Sequence, residues 1–393
     1  MIINLLTRQY LFIDQEAKNY IFENLQGSLT ARDAVCMLSS LHRRLNLHGP
    51  EACDPESALQ LSSLHNSLVR KSHLTEGEAM AGLHVVSWVL FNGGRGQWQD
   101  FLHVACRYAE SILWHPDYRG PQDALMRCRP MTRFIIKTAM WFDVLASATR
   151  VEAPKFLDVF RGLFNPDSAF IDASPSSVPE ELSMLPIMGC ENHVVWALAE
   201  ISNLASWKDL QKERGALSMP DLINRGAKIE KHIMPPTLPL IFYDTQDQMR
   251  LLTSQVFRAS ARVYLHSVLS GDYPSCKEIA EGVADTIQWL KRVPEQVPEP
   301  EQDPSIRSLS GSKDIARSVV RSVVFSICIC GCLTDITWQR DFFLMELEKH
   351  GKSMGNCQAV KDLIQKVWHH RETSSSKSLT WREVVRKSQV LLV

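Results

Sequence analysis

Ten cysteines, thirteen histidines and 44 carboxylates give this chain the raw material for many chemistries. Spacing decides which of them are open to it. Gly351-Lys352-Ser353 has the ending of a phosphate-binding loop. Such a loop needs a glycine five residues earlier, so that backbone amides can turn onto the phosphates, and it must follow an apolar strand. Glu346 stands at that position, and Phe342 to His350 reads as an amphipathic helix. Gly93-Gly94-Arg95-Gly96 is glycine-rich, but it follows a helical pattern and reads as a helix stop and turn. His103 and Cys106 lie one turn apart and His369 and His370 are adjacent, yet zinc needs three or four converging ligands and no second pair is in view. Cys328, Cys330 and Cys332 cannot share one side of a helix, because residues two apart point about 200° from each other. Small apolar core filling is the expected role of all three. The chain has no Cys-x-x-Cys, no His-Glu-x-x-His and no Gly-x-Ser-x-Gly. No local setting marks a cysteine as activated. No catalytic, cofactor-binding or metal-binding residue is therefore assigned, and no cofactor is expected.

The elements that would position such residues read as helices. After Asn192, apolar residues fall at Val194, Ala197, Leu198, Ile201, Leu204 and Ala205, the stripe of a helix with one buried face. Val360, Leu363, Ile364, Val367 and Trp368 repeat it, with Asn356 ahead as a candidate N-cap. Thr75-x-x-Glu78 before Ala79 to Phe91 has the form of a capping box, and Asn92-Gly93-Gly94 supplies the stop. A second box, Thr380-x-x-Glu383, opens the last segment. There Trp381, Val384 and Val385 share a face and the chain runs out through Val390-Leu391-Leu392. This segment is expected to dock on the helix carrying Val360, Ile364, Val367 and Trp368, with Ser374–Ser378 as the connection. The β-branched run Val319–Cys330 is the one ambiguous stretch; its length and the spacing of Arg317 and Arg321 favour a buried helix over a strand. No succession of strand–turn–strand units is present. The reading is all-α, a large irregular bundle or array of antiparallel helix pairs, with no fixed-period repeat.

Three breaks punctuate it: a Pro/Ser loop at 172–181, a second at 234–239, and 294–304 (PEQVPEPEQDP). The last carries four prolines and four acids, a composition that resists both helix and compaction. Residues 1–393 otherwise read as one domain. Hydrophobic residues make up 45% and charged residues 22%, enough for a sizeable core, and a net charge of −1 provides no general attraction to nucleic acid or anionic membrane. The mild basic excess of the tail, seven Lys/Arg against three acids from Lys361 to Lys387, reads as a solvated surface, with Trp368 and Trp381 as core residues. Scattered cysteines imply reduced, buried thiols. The opening residues lack the pattern of a secretory signal. The most apolar stretch, Ser322 to Leu333, is too short to span a membrane, which takes roughly 20 residues.

Five segments together resemble a known family: TAMWFDVLASATR (Thr138–Arg150), GCENHVVWALAEISNLASWK (Gly189–Lys208), VFRASARVYLHSVLSGDYP (Val256–Pro274), GNCQAVKDLIQKVWHHRE (Gly355–Glu372) and WREVVRKSQVLLV (Trp381–Val393). In order and spacing they resemble the large regulatory domain of fungal transcription factors that lies downstream of a six-cysteine zinc cluster. The version with the Trp-Arg-Glu-Val ending is closest, and the likeness runs from about Leu5 to the end of the chain. The resemblance implies an all-helical domain of a nuclear regulator of RNA polymerase II transcription. Such a domain is controlled through protein partners and a small effector, and the family offers no catalytic residues to carry over. The paired cysteines of the zinc cluster have no counterpart here. The expectation is either a divergent member without its DNA reader or a sequence missing its N-terminal part, and no direct specific DNA binding by this chain alone.

The function expected is thus a non-enzymatic transcription-regulatory domain in the nucleus. It would work with the transcription machinery or a DNA-binding partner, with a small effector as a second kind of ligand and no membrane. Two rivals stand beside it: a helical interaction scaffold unrelated to transcription, and an all-α enzyme whose site is dispersed in sequence. Convergent polar residues with perturbed pKa values would favour the enzyme.

Overall fold

The computed structural model describes residues 15–48, 55–164, 178–233, 245–293, 322–351, 355–373 and 380–392; among them every regular element is helical and no strand occurs. The order is α1 (Gln15–Gly27), α2 (Leu29–His48), α3 (Pro55–Leu68), α4 (Glu76–Phe91), α5 (Trp98–Leu113), α6 (Pro121–Arg127), α7 (Pro130–Arg150), α8 (Leu157–Phe164), a 3-10 turn (Glu180–Leu182), α9 (Leu185–Met188), α10 (Asn192–Glu213), α11 (Met219–Ile233), α12 (Thr245–Ser270), α13 (Lys277–Lys291), α14 (Val324–Cys332), α15 (Thr337–Gly351), α16 (Cys357–Thr373) and α17 (Trp381–Ser388). The all-α expectation is met.

Local chemistry explains most boundaries. Thr75 Oγ1 accepts from the Glu78 amide at 3.3 Å and Glu78 accepts from the Thr75 amide at 2.9 Å, so the predicted capping box starts α4. Gly93 and Gly94 follow α4 at φ +98° and +75°, and the Gly94 amide returns to the Val89 carbonyl at 2.9 Å. Pro121 and Pro130 open α6 and α7, where a missing N–H is tolerated. The Thr380–Glu383 box starts α17 as expected.

Three helices are buried on all sides and form the centre. Residues 134–149 of α7 are buried without exception, as are nearly all of α4 and all nine residues of α14. A helix apolar all round belongs inside a helical assembly. The ambiguous run before Cys330 is accordingly a buried helix from Val324; Arg317, Val319 and Arg321 lie outside the described residues. Around these three, α4 packs on α2 and α5, α10 on α8, α11 and α12, α12 on α13 and α14, and α16 on α14 and α15. Neighbours such as α4 and α5, α10 and α11, and α12 and α13 are joined by short loops, the antiparallel-pair pattern read from sequence. One contiguous apolar cluster runs from Ile21 to Leu392. The loops at 234–239 and 294–304 lie outside the described residues. Of 172–181, only Val178 to Glu181 is described, leading into the 3-10 turn.

The C-terminal segment closes this assembly. Helix α17 rests on α16, as expected, and also on α7. Trp381 reaches α12 instead: its indole N–H donates to Ser267 at 3.2 Å and its ring meets Tyr264 edge-on at 5.4 Å. Arg382 holds Asp209 of α10 at 3.0 Å. Val390, Leu391 and Leu392 are fully buried, and their backbone is tied on both sides. The Leu391 amide donates to Gly94 O at 2.8 Å, Asn356 donates to Leu391 O at 2.7 Å, and Thr149 donates to Val390 O at 2.9 Å. A short tail thus joins helices from the beginning, middle and end of the chain.

Gly94, in the loop after α4, is where that tail meets the N-terminal helices. An added Cβ there would lie 2.7 Å from the Asn356 Cβ, and its φ of +75° disfavours any L side chain. Gly93, at φ +98°, has nothing within 4 Å. Gly94→Ala should therefore cost about 2–3 kcal/mol and Gly93→Ala only about 1 kcal/mol, the backbone strain alone. Denaturant unfolding of both variants checks this; equal losses would show that the Asn356 contact imposes nothing.

Candidate functional site

Burial perturbs ionisable groups at several joints of the helical framework; Lys208, Tyr264, Asp272 and Arg382 gather around the start of α17, and most of the others have structural partners. Lys137 of α7 is buried, and burial pushes its ammonium down to about 8; it donates to the carbonyls of Glu180 at 2.9 Å and Ser183 at 2.7 Å, pinning the 3-10 turn. Asp143, one and a half turns further along α7, is fully buried between Arg150 at 2.6 Å and the Phe156 amide at 3.2 Å. Asp272 follows α12; burial pushes its carboxyl up to about 6 while it accepts from the Trp381 amide at 2.6 Å. Each of these three braces a joint between helices, and no nucleophile and base converge among them.

His84 of α4 is different. It is buried and its Nε2 finds no hydrogen-bond partner among the described residues, so burial alone pushes the imidazole down to about 4. The folded chain keeps it neutral, whereas the unfolded chain protonates it near pH 6.5. Between about pH 6.5 and 4 the unfolded state therefore binds the extra proton, and stability falls as pH falls. The loss attributable to this residue should reach about 3 kcal/mol near pH 4. Urea titrations of His84→Phe and the parent at pH 7.5 and 4.5 test it: the difference between the two proteins must shift in the variant's favour at the lower pH. An unchanged difference would contradict it.

The sequence-level metal and thiol candidates separate in space or disappear into the core. His103 is exposed on α5 and lies 2.9 Å from Lys155, while Cys106 is fully buried. Cys328, Cys330 and Cys332 are all buried in α14, and Cys330 donates weakly to Thr286 at 3.4 Å. The nine cysteines of the described residues are free thiols. No group of three or more metal-ligating side chains occurs among the described residues. Lys352 and Ser353 lie outside them. Trp368 and Trp381 are core residues, as read from sequence; the Trp368 indole donates to Gly331 O at 2.8 Å and Arg340 stacks on its ring at 4.7 Å.

One open surface cleft lies elsewhere, where the end of α5, the loop after it, α6 and α8 meet. An open cleft of about 420 Å³ is lined there by Trp114, Arg119, Gly120, Pro121, Gln122, Asp123, Met126, Asp158, Val159, Gly162 and Leu163. Trp114 caps the C-terminus of α5 and is 61% exposed, unusual for the largest apolar side chain. Asp123 is held by the Arg119 amide at 3.1 Å and Arg127 at 3.0 Å, which keep its carboxyl below the usual range. Arg127 also stacks on Tyr118, at 5.6 Å. None of these residues stood out in the sequence. The available signal was a tryptophan at a helix end followed by His-Pro-Asp-Tyr-Arg-Gly-Pro, a loop of the kind that carries function.

No helix of the described residues is long and apolar enough to cross a membrane. No solved structure matches the chain. It is 30% identical to the trichothecene biosynthesis transcription regulator TRI10 of Trichoderma arundinaceum, over 52% of this chain and 43% of that protein. It is 24% identical to the ustiloxin B cluster transcription factor ustR of Aspergillus flavus, over 63% of this chain and 40% of that one. The pestheic acid cluster transcriptional regulator 3 of Pestalotiopsis fici is 22% identical over 91% of this chain and 66% of its own length. The chain thus spans about two fifths of the length of the first two of these relatives. The family described as "Fungal specific transcription factor domain" matches residues 32–393. The helical framework and this match agree: the chain belongs to the fungal-specific transcription factor domain family.

Proposed function

We propose that residues 1–393 act as one regulatory domain in the nucleus, controlling RNA polymerase II transcription through protein partners, with a small effector as a further ligand. The observation that carries this reading is the family match over residues 32–393. The apolar cluster that ties Ile21 to Leu392 supports a single working unit. Relatives named as regulators of trichothecene biosynthesis and of the ustiloxin B cluster support the genes of one biosynthetic pathway as the target. A net charge of −1 supports recruitment by a DNA-binding partner or by the transcription machinery over duplex recognition by this chain alone. The test is a fluorescently tagged chain in a filamentous fungus, followed by cross-linking in isolated nuclei. Nuclear accumulation and cross-links to polymerase II initiation components or to a DNA-binding regulator are expected. A folded chain excluded from nuclei would overturn the proposal.

A further inference from the structure

The cleft between α5, α6 and α8 has a chemistry more specific than an open groove. Its volume, about 420 Å³, suits a compact small molecule. Two stretches of its wall carry no side chain: a Cβ built on Gly120 or on Gly162 would meet nothing within 4 Å. Trp114 and Met126 supply apolar surface that is 61% and 39% exposed, so an occupant would remove from water area that folding leaves wet.

The charges at the cleft are unequally committed. Asp123 is taken by Arg127 and the Arg119 amide; Asp158, its side chain 87% exposed at the rim, stands 3.5 Å from Arg161, whose guanidinium is held by Glu200 at 2.5 and 3.0 Å. Arg119 also lines the cleft, is exposed, and makes no ion pair among the described residues. The lining thus offers an aromatic platform, an apolar wall and, near Asp123, a guanidinium without an ion pair among the described residues, whose planar fork suits a carboxylate.

We infer that this cleft binds a planar aromatic acid of two or three rings, the ring system on Trp114 and Met126 and the carboxylate on Arg119. The inference names a ligand class and a site for the effector of the proposed regulatory function, and rests on that reading only for its consequence in the cell. Binding itself is measured without any transcriptional readout, so the two can fail separately.

The probe is 1-naphthoate, with 1-naphthylmethanol as its neutral counterpart, titrated by calorimetry into the full chain. Saturable binding of 1-naphthoate is expected, with the alcohol about tenfold weaker. Arg119→Gln should lose about the same factor for the acid and nothing for the alcohol. Trp114→Ala should weaken both probes about tenfold. Gly162→Leu places a side chain in the cleft and should abolish binding of both while leaving the melting temperature unchanged or higher, since glycine is the poorer helix former. All three substitutions are at sites with free space or solvent exposure, so their folding is checked by the same melting curves. No saturable binding of the acid up to millimolar probe would overturn the inference. So would binding that survives Gly162→Leu, or a discrimination between acid and alcohol that Arg119→Gln leaves intact.

Discussion

Trp381→Ala should lower the unfolding free energy by about 4 kcal/mol, within the 3–5 kcal/mol typical of emptying a buried aromatic site. The residue is fully buried, and its three polar and aromatic contacts all reach outside its own helix. The indole N–H goes to Ser267, the ring edge to Tyr264, and the backbone amide to Asp272. Alanine retains only the last of these. Because α17 is just eight residues long, it has little stability of its own and depends on this anchor. Its release also frees Val384 and Val385 and loosens Val390–Leu392, so ending the chain at Lys377 should be worse and lead to aggregation. Guanidinium unfolding of the point variant and light scattering of the truncated chain measure both effects. The rival idea holds that the apolar end is a free partner-binding motif. It predicts a loss below about 1 kcal/mol, with solubility intact.

Asp143→Ala should cost a similar amount, about 4 kcal/mol, by a different route. The Asp143 carboxylate is fully buried, with Arg150 at 2.6 Å and the Phe156 amide at 3.2 Å as its partners. Removing it leaves a largely buried guanidinium with only the exposed Glu152 at 3.7 Å and deprives a buried amide of its acceptor, and breaking such a pair from one side typically costs 3–5 kcal/mol. Those two partners hold the turn from α7 into α8, so the loss should appear first as local opening of residues 150–157. Asp143→Asn keeps a hydrogen-bond acceptor of the same shape and should lose about half as much. Hydrogen exchange at the Phe156 amide, alongside the unfolding midpoint, separates the two. Equal losses in both variants would mean that the charge, and not the hydrogen bonding, is what matters there.

The legible parts of this fold were those governed by short-range rules. Both capping boxes, the Gly93-Gly94 stop and the stripes from Val194 to Ala205 and Val360 to Trp368 stand where periodicity and cap chemistry place them. Burial of the C-terminal segment follows from its apolar run Val390-Leu391-Leu392, which would be costly to leave in water. Its partners were only partly legible. The reach of Trp381 to Ser267 and of Leu391 to Gly94 depends on how distant helices meet, and no spacing within the segment encodes it. The end of α7 was also opaque: Val151 takes φ +58° as the left-handed cap, a conformation that a β-branched residue disfavours. The cleft escaped for the same reason. Trp114, Arg119 and Gly162 come from two helices and a loop, and each is unremarkable until the chain folds them together.

The regulatory account meets its most direct test in transcript output from a reporter to which the chain is recruited by a fused heterologous DNA-binding module. Relative to the module alone, the intact chain should change reporter output, and ending the chain at Lys377 should remove that change along with the fold. A chain that is nuclear, recruited and folded, yet leaves transcript output at the level of the module alone, would contradict the account.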